Sequence, residues 1–226
     1  MYICVSGDGD PTGPTSPGEL ALVIDLLNDN PFSRFETMEL EYGEEEPFDP
    51  QKIVGTLPPA TDKSFRASSK RPFNMYGSVS FDEVPRVVNL EWSEEYNSNP
   101  ALPAAIVEYL QRWRTEYPNF LEASTSADDR ENEYFFDRLA LLPVPDCFGT
   151  VLGWCHVLSP RGYEKYYQPA DLRHAPAYRV EEFNDGTFAL MTYAHPLEFA
   201  TEENTRRLVE LTKYLYDRWQ ANGGNY

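Results

Sequence analysis

The sequence predicts an α+β fold, a largely antiparallel sheet carrying about three packed helices in a single domain. Three observations lead there. The elements run strand, helix, strands, helix, strands, helix, without the regular alternation of a doubly wound sheet. Asn184-Asp185-Gly186 lies between two strand-like runs, which is a hairpin signal, and hairpins join antiparallel neighbours. Three segments repeat apolar residues at helical spacing between start and stop residues.

Met1 to Val5 reads as a short strand, followed by a Pro/Gly/Asp loop. Ser16 then caps a helix, Pro17 takes its first turn, and Glu19 is placed to reach back as the capping-box partner. Leu20, Val23, Ile24 and Leu27 share one face, and Asn30-Pro31 ends the helix. From Phe35 to Tyr42, Phe35, Thr37, Glu39 and Glu41 alternate with Glu36, Met38, Leu40 and Tyr42, as in a strand with one wet face. Gly43 to Pro72 is polar and punctuated by Pro47, Pro50, Pro58 and Pro59, so it is expected to be mostly loop. Ser78 to Phe81 and Arg86 to Trp92 read as strands.

Asn99-Pro100 opens the second helix, lined by Leu102, Ile106, Tyr109, Leu110 and Trp113, with Pro118 past its end. Ala123 to Glu133 reads as a polar, charged linker. Val151 to Leu158 is an apolar strand stopped by Pro160, and Arg161 to Pro176 an aromatic and basic loop. Tyr178 to Phe183 and Thr187 to Tyr193 form the hairpin arms. Thr201 caps a last helix bearing Leu208, Leu211, Leu215 and Trp219, stopped by Gly223-Gly224. The whole chain, residues 1–226, is read as one domain because neither half alone holds a complete set of elements; 123–133 is where a division would fall.

The charge narrows the choice of partners. The chain has 37 Asp and Glu against 19 Lys and Arg, a net charge of −18 on 226 residues. Such a field repels nucleic acid and anionic lipid and attracts basic surfaces. Hydrophobic residues at 41% and aromatics at 14% supply a core, which separates the chain from acidic disordered ones. There is no run of about 18 apolar residues to span a membrane. The N-terminal stretch lacks a basic n-region, and Cys4, Cys147 and Cys155 are an odd number. Free thiols in a cytoplasmic protein are the expectation.

Several constellations invite a chemical reading. Asp8, Asp10, Thr12 and Glu19, with Gly13 in the loop, follow calcium-hand spacing, but a strand precedes them and Pro11, Pro14 and Pro17 stiffen them. A capped acidic turn is the stronger reading. Cys147, Cys155 and His156, with His174 or His195 as a guessed fourth ligand, match none of the compact zinc spacings. No nucleophile elbow, phosphate loop or dinucleotide fingerprint occurs. The expectation is therefore no catalytic residue, no metal and no cofactor, with a carboxylate-based hydrolase and a calcium-dependent adaptor as rival readings.

The acids cluster. Up to Ala60, Asp8, Asp10, Glu19, Asp25, Asp29, Glu36, Glu39, Glu41, Glu44, Glu45, Glu46 and Asp49 stand against Arg34 and Lys52. Glu44-Glu45-Glu46 follows a strand on a loop, and Asp128, Asp129, Glu131 and Glu133 form a second group. Each is either a solvated surface or a landing site for a basic partner. Tyr163, Tyr166, Tyr167 and Tyr178 are either interface rings or rings folded onto the domain's own core.

Val151-Leu152-Gly153-Trp154-Cys155-His156-Val157-Leu158-Ser159-Pro160 resembles the Gly-Trp-centred strand of bacterial immunity proteins of polymorphic-toxin and type VI secretion systems. The order that follows is also similar: a proline-bearing loop, a Val-containing strand, Asp185-Gly186, an apolar strand, and Pro196-Leu197-Glu198-Phe199 before a helix opening Glu202-Glu203-Asn204. The family is the immunity protein 52 family, matched over roughly residues 150 to 220; the first half matches in its strand–helix opening and in Phe32 to Phe35. The stretch from Gly43 to Pro72 departs from the pattern. The resemblance implies a non-catalytic cytoplasmic protein that neutralises a cognate nuclease toxin. Gly153 and Trp154 read as structural, and Glu44, Glu45, Glu46, Asp128, Asp129 and Glu131 as the toxin-binding acids.

Overall fold

The computed structural model describes residues 2–7, 16–30, 34–40, 43–56, 64–69, 75–80, 86–92, 100–126 and 153–224. They form an α+β fold in which the strand pairs within each unit are antiparallel. The chain divides into two compact units, Met1–Phe120 and Leu121–Tyr226.

The first unit contains β1 (Tyr2–Gly7), α1 (Pro17–Asn28), β2 (Thr37–Leu40), β3 (Glu46–Pro47), α2 (Pro50–Thr56), β4 (Ser64–Ser69), β5 (Met75–Ser80), β6 (Arg86–Trp92) and α3 (Leu102–Glu116). Its strands lie in the order β3-β2-β4-β5-β6-β1. The registers align Met38, Ala67, Gly77, Leu90 and Ile3 in one buried row across five strands. Gly77 is the gap in that row. A Cβ there would sit 2.5 Å from Cζ of Phe35 and 3.2 Å from Cδ2 of Leu27, so the missing side chain admits a ring and a helix residue to the sheet. Glu39, Arg66, Ser78 and Cys4 fall on the row of the opposite face, and all are half-buried or exposed. Alternation thus gives this sheet one apolar and one polar side.

Helix α1 forms as its sequence indicates. Ser16 Oγ accepts from the Glu19 amide at 3.0 Å, Pro17 lies in the first turn, and Leu20, Val23, Ile24, Leu26 and Leu27 are buried. At its other end Arg34 Nη1 donates to the carbonyls of Asn28 and Asn30, at 2.8 and 3.0 Å, which closes off the last turn. Helix α3 buries the expected Leu102, Ile106, Tyr109, Leu110 and Trp113 and starts two residues after Pro100. Arg112 ties it to Asp29 at the end of α1.

Among the described residues, 43–56 and 64–69, the stretch expected to be mostly loop holds β3, α2 and β4; residues 57–63 and 70–72 lie outside the described residues. The prolines that suggested a loop sit where their missing N–H costs little. Pro50 opens α2, whose first amides are satisfied by Asp49 Oδ1, bonded to Gln51 N at 2.9 Å and Lys52 N at 3.1 Å. Pro47 stands on an edge strand.

The second unit contains β7 (Phe120–Ser126), β8 (Cys155–Leu158), α4 (Pro160–Tyr163), α5 (Pro169–Arg173), β9 (Arg179–Glu182), β10 (Phe188–Met191), a 3-10 turn at Pro196–Glu198 and α6 (Glu202–Ala221). Its strand order is β7-β8-β10-β9. Every residue of β8 and β10 is buried, which explains the unbroken apolar run of β10 and the apolar residues that flank His156 in β8. The linker expected from Ala123 begins instead as strand β7, with Ala123 and Thr125 buried; its residues from 127 onward lie outside the described residues. Ala, Ser and Thr carry weak periodicity, so backbone pairing with β8, not side-chain pattern, makes this a strand.

The loop expected at Arg161 to Pro176 holds two short helices, each with a local cap. Ser159 Oγ accepts from Gly162 N at 3.2 Å, and Asp171 Oδ2 accepts from Gln168 N at 2.9 Å. The hairpin appears as expected. Phe183 N donates to Thr187 O at 2.8 Å, and Gly186 takes a φ of 82°, open to glycine at little cost. Trp154 is fully buried and its Nε1 donates to Tyr193 O at 2.8 Å; Thr192 donates from N to Trp154 O and from Oγ1 to Gly153 O, both at 2.9 Å. The Gly-Trp pair therefore sews β8 to the end of β10, a structural role. Thr201 caps α6, and Leu208, Leu211, Leu215 and Trp219 are buried along it.

Three substitutions test this packing. Trp154→Phe removes the hydrogen bond to the Tyr193 carbonyl and underfills a fully buried site, which should cost about 1–3 kcal/mol in denaturant unfolding. Tyr109→Phe removes a buried hydroxyl that makes no well-formed hydrogen bond among the described residues and should leave stability unchanged or raised; a loss equal to that of Trp154→Phe contradicts this reading. Gly77→Ala should cost about 1–3 kcal/mol by driving a methyl into the Phe35 ring, and an unchanged midpoint would refute that close approach.

Candidate functional site

The sequence points to acids rather than to a catalytic centre, and the site begins with the turn between β2 and β3. These strands pair as Thr37 with Pro47 and Met38 with Glu46, at the end of the first unit's sheet. Gly43 N donates to Leu40 O at 2.8 Å, and a Cβ at Gly43 would lie 2.9 Å from that oxygen, so the turn requires glycine. Beyond it, Glu44 and Glu45 are exposed and Glu46 is half-buried.

The three glutamates have three environments. Among the described residues, nothing pairs with Glu44. Glu45 Oε1 accepts from Thr37 Oγ1 at 2.7 Å and lies 3.5 Å from Ser68 Oγ, while the two hydroxyls stand 2.7 Å apart. Its carboxylate is held in one rotamer before any partner arrives. Glu46 is ion-paired with Lys52 of α2, which cancels part of the local field. The charge displayed here is therefore that of Glu44 and Glu45.

Asp128, Asp129 and Glu131, with Glu133, lie outside the described residues, as do Asp8, Asp10, Thr12 and Cys147. Glu19, the last ligand of the calcium reading, is described. Its Oε1 accepts from Tyr117 Oη at 3.0 Å and Asn119 Nδ2 at 3.1 Å, so this carboxylate joins the start of α1 to the segment after α3. Among the described residues, no three His, Cys, Asp or Glu side chains gather as a metal set. Burial pushes the Cys155 thiol up to about 12, and the nearby Glu181 charge adds to the rise. His174 Nδ1 donates to Ala170 O at 2.8 Å. Among the described residues, no helix is long and apolar enough to cross a membrane.

The four tyrosines separate by environment. Tyr163 is buried, donates to Gly186 O at 3.0 Å and meets Phe188 edge-on at 5.7 Å, so it belongs to the core. Tyr166 and Tyr167 are half-buried, and Tyr178 is 52% exposed with Arg207 5.4 Å over its ring.

One polar contact had no sequence signal. His156 of β8 is buried, and its Nε2 lies 3.4 Å from Glu122 Oε2 on the neighbouring strand β7. Thr37, Ser68 and Lys52 were likewise silent in the sequence, because strand pairing and a helix turn bring them to the acids. The only trace of Thr37 and Ser68 is a small hydroxyl residue on each strand, and that of Lys52 a lone basic residue among acids. No protein-family model matches the chain, and no curated protein matches it.

The hydrogen bond from His156 holds the Glu122 carboxyl below its ordinary value of 4.5, against an opposing effect of burial. A depressed folded pKa contributes stability above the unfolded value that is lost as pH falls through the folded one. The melting-temperature gap between wild type and Glu122→Gln should therefore be present above pH 4.5 and close on further acidification. A gap that persists in acid would contradict the pairing.

Proposed function

We propose that this chain is a binding protein and not an enzyme: an immunity-type protein that holds and neutralises a cognate toxin, a nuclease with a basic surface, through acidic residues. The observation that carries the reading is the β2–β3 turn, where Glu44 stands exposed and Glu45 is fixed in place on Thr37 and Ser68. The net charge of −18 and the resemblance around Gly153-Trp154 support it.

The physical route is as follows. Nucleases that bind a phosphate backbone line their track with Lys and Arg. Carboxylates presented at fixed spacing compete for those cations, with less ordering entropy lost on contact than mobile side chains would lose. The field of the whole chain raises the encounter rate by about 10- to 1,000-fold at low salt. At physiological ionic strength the screening length is about 8 Å, so the exposed carboxylates near the contact set most of the remaining attraction. Asp128, Asp129 and Glu131 are included in the proposed surface on their sequence alone.

The test is co-expression with nuclease toxins of basic surface, reading survival and co-purification. Glu44→Lys with Glu45→Lys, and the same reversal at Asp128, Asp129 and Glu131, should weaken capture at least tenfold and flatten its salt dependence, while the melting temperature of Glu44→Lys alone stays at the wild-type value. Full rescue by the doubly reversed protein, or capture unchanged in concentrated salt, would overturn the electrostatic reading. Turnover of a substrate by the purified chain would overturn the whole.

A further inference from the structure

We draw no further inference here: the strongest candidate, the surface patch of the second unit where the exposed Tyr178 ring before β9 is backed by Arg207 of α6, carries nothing because nothing in the structure shows what covers it.

Discussion

The absent side chain at Gly77 is the constraint on which much of the first unit turns. It opens a space in the middle of a buried row, and Phe35 and Leu27 fill it. Leu27 belongs to α1, so the gap seats the helix on the sheet. Phe35 leads into β2 and packs on Phe48, the residue after β3, with ring centroids 5.5 Å apart. The backbone repeats the link, since Phe48 N donates to Glu36 O at 2.9 Å. Both ends of the acidic turn are thus anchored in the core, while the turn between them carries exposed charge. Like charges close together favour expansion, and here the anchoring opposes it.

The two units use strands in different ways. In the first, one face of the sheet is apolar and the other polar, as one-sided burial of an antiparallel sheet requires. In the second, β8 and β10 are buried throughout, and among the described residues the Asp, Glu, Lys and Arg side chains lie on the helices, the loops and the strands β7 and β9. The surface ion pairs there, Arg173 with Glu182, Arg179 with Glu181 and Arg207 with Glu203, are exposed and contribute little individually. They do settle the partners of several cations, leaving less positive charge to offset the acids elsewhere.

Much of the fold was legible in the sequence where apolar spacing and capping chemistry agreed. α1, α3, α6 and the hairpin at Gly186 are of this kind, each with a stripe or turn that only one structure satisfies. β4 and β7 were missed because Ser, Ala and Thr say little about which face is buried. α2, α4 and α5 were missed because their opening prolines look like loop punctuation, yet proline at a first turn is compatible with a helix. Of the candidate site, the charges of Glu44, Glu45 and Glu46 were legible and their separate fates were not. Lys52 reaches Glu46 by a helix turn, whereas Ser68 reaches Thr37 and Glu45 by strand pairing over long separation. Glu19 shows the same limit: its spacing suggested a local cap, and its carboxylate meets Tyr117 and Asn119 nearly a hundred residues away.

The short strand β3 has an implication for how anything approaches this margin of the molecule. It is two residues long, a glutamate and a proline, and proline has no amide hydrogen to offer an incoming chain. Extension of the sheet by a foreign strand is blocked here by the same segment that displays the carboxylates. Anything arriving at this edge would meet side chains rather than a long run of free amides, so β3 carries charge without offering a template for stacking.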